Sequence, residues 1–294
     1  MLKVQALTKY YGKNKGINNL SFSLEKQEIL GVVGANGSGK TTTFRLLLGL
    51  LMPDSGYMEY EGKDVSLLGN DVFGYLPEDR SVYRDLKVEE QLRFLAKLKN
   101  MDSLKIETAI DHWLTRLEIS EHRHRLIKEL SKGNQQKVQL ICALIHDPKI
   151  IIFDEPLSGL DISNVNMIKK LINELKSEQK MILISSHQYE YIEEFCEKMI
   201  LLDKGEVRYY GRVNDLKFKS EIRYISINSV VQCSYLDQEG VLGQQRSANI
   251  TRLLMVNETK AKKLVRKLLK EDNLVSLKIE LPTIGDIINH GDLT

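Results

Sequence analysis

The run Gly34-Ala35-Asn36-Gly37-Ser38-Gly39-Lys40-Thr41 fits the pattern G-x-x-x-x-G-K-[ST], a device for holding phosphate. Glycines let the backbone curl so that successive N–H groups point inward, and a helix beginning at Lys40 adds the partial positive charge of its N-terminus. Lys40 is placed to bridge the β- and γ-phosphates of a nucleotide, and Thr41, followed by Thr42, offers a hydroxyl to Mg²⁺. A second constellation is Ile150-Ile151-Ile152-Phe153-Asp154-Glu155, an apolar strand ending in two carboxylates. At a strand's carboxyl end both would face the phosphates. Asp154 suits the Mg²⁺ shell, and Glu155 is placed to polarise a water for in-line attack on the terminal phosphorus. Alone, the first could be a glycine-rich turn and the second a polar strand end before Pro156. Together they describe a nucleoside triphosphatase.

Such a site needs strands that deliver loops to one edge of a sheet. Residues 29–33 read as a buried strand running into the glycine-rich turn, and residues 40–50 have helical spacing. Residues 150–153 and 181–185 are further short apolar runs, separated by a helical stretch at 162–176 in which Val165, Ile168, Leu171, Ile172 and Leu175 share a face. Strands alternating with helices predict a mainly parallel α/β sheet. Residues 1–8 alternate like a strand. Residues from about 88 to 145 are helical without strands, which predicts a helical subdomain. After Gly211 the character changes: 222–227, 250–256 and 274–281 read as strands and 260–270 as a basic amphipathic helix. The expected organisation is a nucleotide-binding domain over 1–217 and a small α+β domain over 218–294.

Composition limits the function classes. With 294 residues, 42% hydrophobic and 28% charged, the chain can bury one large core and a smaller one, and is too polar for a membrane protein. The longest apolar stretch, 46–52, is interrupted by Gly49 and is far shorter than the roughly 18 residues of a spanning helix. The opening MLKVQALT lacks the pattern of a secretory leader, so a cytosolic location is expected. Cys142, Cys196 and Cys233 show no CxxC spacing and read as reduced, buried thiols. A formal charge of +2 argues against a large nucleic-acid footprint, and no nucleic-acid partner is expected.

The residues between and after the two motifs name a family. Leu130-Ser131-Lys132-Gly133-Asn134-Gln135-Gln136 resembles the ABC signature sequence, Ser158-Gly159-Leu160-Asp161 its D-loop and Ser185-Ser186-His187 its H-loop. In order and spacing, residues 1 to about 215 resemble an ABC nucleotide-binding domain. That resemblance implies an ATP hydrolase with a phosphate-loop ABC core, using ATP and Mg²⁺. It implies a homo- or heterodimer with a second ATP-binding subunit, met head to tail, each ATP lying between the phosphate loop of one domain and the signature helix of the other. Ser131 and Gly133 would then contact a γ-phosphate across the interface, and His187 the γ-phosphate of its own site. Tyr11, in Lys9-Tyr10-Tyr11-Gly12, matches the aromatic that stacks on adenine, although a surface tyrosine would read the same. The implied catalytic residues are Glu155, His187 and Lys40. The chain departs from the family with Lys132 and Asn134 in the signature, and with Pro77-Glu78 where the Q-loop glutamine would fall. Glu78 lacks the amide donor but can supply an anionic oxygen to Mg²⁺, giving the metal set Thr41, Glu78 and Asp154.

YLPEDR, LSKGNQQK and the closing Pro282-Thr283-Ile284-Gly285-Asp286-Ile287-Ile288 resemble bacterial exporter ATPases of the sodium-efflux and drug- or peptide-export kind. Their membrane subunits are separate ABC-2-type polypeptides. This implies integral-membrane permease partners and a peripheral position on the cytoplasmic face of the membrane. Import ATPases, and soluble ABC ATPases acting on ribosomes or DNA, are the alternatives. The soluble ones usually carry two ATPase domains or a long coiled coil, neither of which is visible here. Glu121-His122-Arg123-His124-Arg125 reads as a solvated helix end rather than a metal or lipid contact. Residues 260–270 read as a solvated basic face over a Leu264, Val265, Leu268 and Leu269 stripe.

Overall fold

The computed structural model describes residues 1–69, 71–79, 82–229, 234–270 and 274–290. Cys233 and Arg80 of the sequence reading lie outside the described residues. The chain forms two compact units, Met1–Tyr210 and Gly211–Thr294. No helix among the described residues is long and apolar enough to cross a membrane.

The first unit begins with strands β1 (Leu2–Tyr11), β2 (Asn14–Leu24) and β3 (Ile29–Val33), followed by helix α1 (Lys40–Leu47). Strands β4 (Ser55–Tyr60), β5 (Lys63–Asp64) and β6 (Phe73–Leu76) lead into helices α2 (Val88–Leu98), α3 (Ser103–Arg116) and α4 (Lys132–Leu144). Then come β7 (Ile150–Asp154), α5 (Ile162–Ser177), β8 (Met181–Ser186), α6 (Tyr189–Phe195), β9 (Lys198–Asp203) and β10 (Glu206–Arg212). The strands form one sheet in the order β5-β4-β1-β2-β10-β9-β3-β8-β7-β6.

The part that carries the two motifs is parallel, β3 lying between β8 and β9 and β7 between β6 and β8. Strands β3, β7 and β8 are buried along their whole length, because helices cover both faces of a parallel sheet, which is why they read as unbroken apolar runs. The other wing is antiparallel: β1 pairs with β2 and β4, and β4 with β5. Of this wing the sequence announced only the strand at residues 1–8, seen as β1; the others are half exposed and mixed in polarity. The expected face of α5 is buried at Ile168, Leu171, Ile172 and Leu175. Helix α1 ends at Leu47, three residues short of the expected end, where Gly49 takes a left-handed φ of 68°.

The second unit contains helices α7 (Val213–Lys219), α8 (Glu258–Leu268) and α9 (Ile284–Asn289) and strands β11 (Arg223–Ser229), β12 (Val241–Ser247), β13 (Ile250–Met255) and β14 (Leu274–Glu280). The strands form an antiparallel sheet ordered β12-β13-β11-β14. Helix α8 buries Ala261, Leu264 and Leu268 against Ile225, Ile227, Leu253 and Met255. Leu269, expected in that stripe, is instead 66% exposed. Lys260 and Lys263 pair with Glu239 and Lys262 with Glu258, so much of the basic face is neutralised at the surface. The boundary expected between residues 217 and 218 falls inside helix α7, which lies wholly in this unit.

Candidate nucleotide site

The phosphate loop leaves the carboxyl end of β3 and closes at the N-terminus of α1. Gly39 caps that helix with φ 115°, and a Cβ there would lie 2.5 Å from the carbonyl oxygen of Gly16. Only glycine fits both the conformation and the contact. No side chain caps α1, so the N–H groups of its first turn are free to bind an anion, with the helix dipole favouring negative charge. Lys40 is 8% exposed, and its ammonium donates to the carbonyls of Gly34 (2.7 Å) and Ala35 (3.3 Å). The hydroxyl of Ser38 is buried and has no hydrogen-bond partner among the described residues. A donor left unpaired inside a phosphate-type loop fits an external oxygen acceptor.

A cleft of about 370 Å³ opens over this loop. Of the expected residues, Tyr11, Asn36, Gly37, Ser38, Gly39, Lys40, Thr41, Thr42, Glu78 and Glu155 line it, joined by Lys15 and Gly16. Gly16 carried no signal in the sequence, yet it shapes the wall. A Cβ there would stand 2.7 Å from the Tyr11 ring and 3.1 Å from Thr42 Cγ2. Its bare backbone lets the tyrosine lie close to the loop while the ring stays 45% exposed.

Strand β7 delivers Asp154 and Glu155. Asp154 is 3% exposed, and the Ser185 hydroxyl donates to its Oδ1 at 2.5 Å. Burial raises its pKa, and the neighbouring charge of Glu78 raises it further, against the hydrogen bond from Ser185 and the Lys40 ammonium. Burial, with the charge of Asp154 nearby, pushes the phenol of Tyr75 on β6 up to about 12. Glu155 takes a left-handed φ of 52°, uncommon for a residue with a Cβ. Its N–H donates to Ser185 Oγ at 2.9 Å and its Oε2 lies 2.8 Å from His187 Nδ1. Burial raises the Glu155 pKa, while His187 and Lys40 pull it down. One hydroxyl, Ser185, thus holds the side chain of one carboxylate and the backbone of the next. The sequence placed Ser185 in the H-loop resemblance and at the end of an apolar strand, but neither signal tied it to the two carboxylates.

Ser131 and Gly133 do not line this cleft. Ser131 caps α4, its Oγ accepting from the N–H of Asn134 at 3.2 Å. A Cβ on Gly133 would lie 2.4 Å from Asn164 Nδ2, so the signature turn packs closely on the start of α5. Gly34 and Ala35 meet Lys40 through their carbonyls, and His187 stands on Glu155. The 121–125 segment is solvated at Glu121, His124 and Arg125, as expected, and also carries an ion-pair knot. Arg123 binds Glu89, Glu107 and Asp111, and His124 also reaches Glu89. Cys142 accepts from Gln91 at 3.3 Å, and burial raises its pKa to about 12; Cys196 is buried and free.

A parallel sheet with a phosphate loop after β3 and paired carboxylates after β7 defines a phosphate-loop nucleoside triphosphatase. The model of the ABC transporter family matches residues 17–158. An ABC transporter ATP-binding protein of Methanocaldococcus jannaschii is 44% identical over 242 residues, 82% of this chain and 89% of the relative. The Bacillus subtilis ABC transporter ATP-binding protein YhaQ is 36% identical over 98% of this chain and 97% of its own length. The lipopolysaccharide export system ATP-binding protein LptB of Haemophilus influenzae is 32% identical over 70% of this chain and 88% of its own. A solved ATP-binding subunit of an ABC transporter superposes with a TM-score of 0.68 at 28% identity, covering 74% of this chain and 92% of that one. The chain belongs to the ABC transporter ATP-binding family, whose members hydrolyse ATP in step with transport.

Proposed function

We propose that this chain hydrolyses ATP at the cleft beside its phosphate loop and powers an exporter whose membrane subunits are separate ABC-2-type polypeptides. The observation that carries the catalytic reading is Glu155, a buried carboxylate tied to His187 on the same cleft as Lys40 and Thr41. A carboxylate there accepts the proton of an attacking water. Residues Gly34, Ala35, Asn36, Gly37 and Gly39 present backbone N–H groups to the phosphates, and Ser38, whose N–H is bonded to the Ala35 carbonyl, presents its unpaired hydroxyl. Lys40 adds its charge, Thr41 and Thr42 their hydroxyls, and Tyr11 a ring face for adenine. Thr41, Glu78 and Asp154 make an all-oxygen donor set that suits a hard cation such as Mg²⁺. When bound, Mg²⁺ neutralises phosphate charge.

Ser131 and Gly133, away from their own cleft, are assigned to ATP held by a second ATP-binding subunit. The Ser131 oxygen accepts from Asn134, which leaves its proton to donate to a phosphate oxygen. Export is supported by the YLPEDR and LSKGNQQK resemblances and by the similarity to LptB. The partners proposed are integral-membrane permease subunits, which would hold the chain at the cytoplasmic face of the membrane; no nucleic-acid role is proposed. The similarity to YhaQ runs through the second unit, consistent with an accessory role for it beside the ATPase.

Two measurements test this. ATP binding should be lost in Lys40→Ala; unchanged affinity contradicts the phosphate-loop assignment. The tagged chain should co-purify with a polytopic membrane protein and without a solute-binding protein. Recovery with ribosomes would overturn the transport reading, and recovery with a solute-binding protein would turn it to import.

A further inference from the structure

Helix α4 is capped by the signature serine and carries, two turns later, a buried amide. Gln139 is 4% exposed. Its Nε2 donates to two backbone carbonyls, Pro77 at 3.2 Å and Asp79 at 2.8 Å. Two facing acceptors settle the amide orientation, since Oε1 in that place would meet two carbonyl oxygens. The residue between those carbonyls is Glu78, whose side chain lines the nucleotide cleft and whose charge reaches Asp154. The same helix abuts the strand before this loop: a Cβ on Gly74 would lie 2.3 Å from the carbonyl oxygen of Ala143. Helix α4 therefore grips both β6 and the turn that follows it.

We infer that Gln139 is a positioning residue that clamps the backbone on either side of Glu78, and so ties the placement of that carboxylate at the cleft to the helix that presents Ser131. The amide missing from position 78 is supplied from α4 to the backbone instead. A clamp of this kind has a consequence for the signature helix: rotation of α4 carries Glu78 with it, and fixation of Glu78 at the cleft resists that rotation. The inference rests on the reading that Glu78 serves the Mg²⁺ site, and the experiment separates the two.

The test uses the full chain with Glu155→Gln to stop turnover. Gln139→Met keeps the volume without the donor, and Gln139→Ala is a second variant should Met not fit. Exchange of the Glu78 and Asp79 amides without nucleotide should quicken in both by more than any fall in melting temperature accounts for, while exchange in β7 stays near that of the parent. The Mg²⁺ concentration for half-maximal ATP binding should rise ~3- to 10-fold, about the worth of one of the two hydrogen bonds lost. Affinity for ATP in excess chelator should stay unchanged. Glu78→Ala should give a similar rise, and the double variant no more than the larger single one, because one effect acts through the other. If Glu78→Ala leaves the Mg²⁺ requirement unchanged, the metal reading of Glu78 fails. If Glu78→Ala shifts it while both Gln139 variants do not, or if the effects add, the clamp is wrong.

Discussion

His187 Nδ1 lies 2.8 Å from Oε2 of Glu155, the imidazole 55% exposed and the carboxylate 7% exposed. A rim residue thus orients a group sunk in the wall, because the two follow adjacent parallel strands, β7 and β8. With the carboxylate ionised, Nδ1 carries the hydrogen and donates it, so Nε2 is the atom left to face a ligand. The backbone of Glu155 is left-handed, a conformation uncommon for a residue with a Cβ, at the point where the chain leaves β7.

Glu155→Gln keeps an oxygen to accept from His187 but has no basic carboxylate. ATP affinity should persist while hydrolysis falls ~10²-fold or more. Equilibrium nucleotide binding and phosphate release on the same sample decide it, and near-normal turnover would remove Glu155 from the role of base.

Ser185 hydrogen-bonds Asp154 Oδ1 and the N–H of Glu155 at 0% exposure. Ser185→Ala leaves a buried N–H unpaired and takes a donor from a buried carboxylate, at a cost of about 1–3 kcal/mol. The first unit's melting temperature should fall by several degrees, and turnover should fall with it. A melting curve identical to the parent's would mean that water replaces the hydroxyl at no cost.

The Tyr11 ring lies on Gly16 beside Thr42. Tyr11→Ala should raise the ATP dissociation constant, whereas Tyr11→Phe should not, because the ring face carries the contact. Equal losses in both variants would assign the contact to the hydroxyl.

Glu89 is held by Arg123 and His124, with Arg93 at 3.6 Å, and the bond from Arg123 leads in lowering its pKa to about 2. A depressed carboxyl stabilises the fold above its unfolded value, near 4.5, and loses that contribution as pH falls through about 2. Glu89→Gln should therefore melt lower than the parent at pH 7, by an amount of order 1 kcal/mol, with the gap closing between pH 4.5 and 2. A gap unchanged down to pH 2 would show that the knot contributes by shape and not by charge.

A chain ending at Tyr210 removes the whole second unit, α7 included. It should still bind ATP, and should either dimerise less well in the Glu155→Gln background or lose control of its basal rate. Sedimentation and ATPase rate beside the full chain test this; no change in either would remove the accessory role.

Some of this protein was legible residue by residue. The phosphate loop, the strand ending in Asp154-Glu155 and the signature turn are local devices, in which glycine curl, helix N-terminus and strand end are set by neighbours in the chain. The strands buried on both faces read as unbroken apolar runs for the same reason. What neighbours along the chain do not determine is which strand lies beside which. The Asp154 to Ser185 register, the antiparallel wing, Tyr11 over Gly16, the Arg123 knot and the reach of Gln139 to Pro77 and Asp79 mostly join residues tens of positions apart. Such pairings leave no periodicity in the sequence, since each depends on strand order and helix packing that the whole core settles at once. The chemistry was written locally; its geometry was decided by the fold.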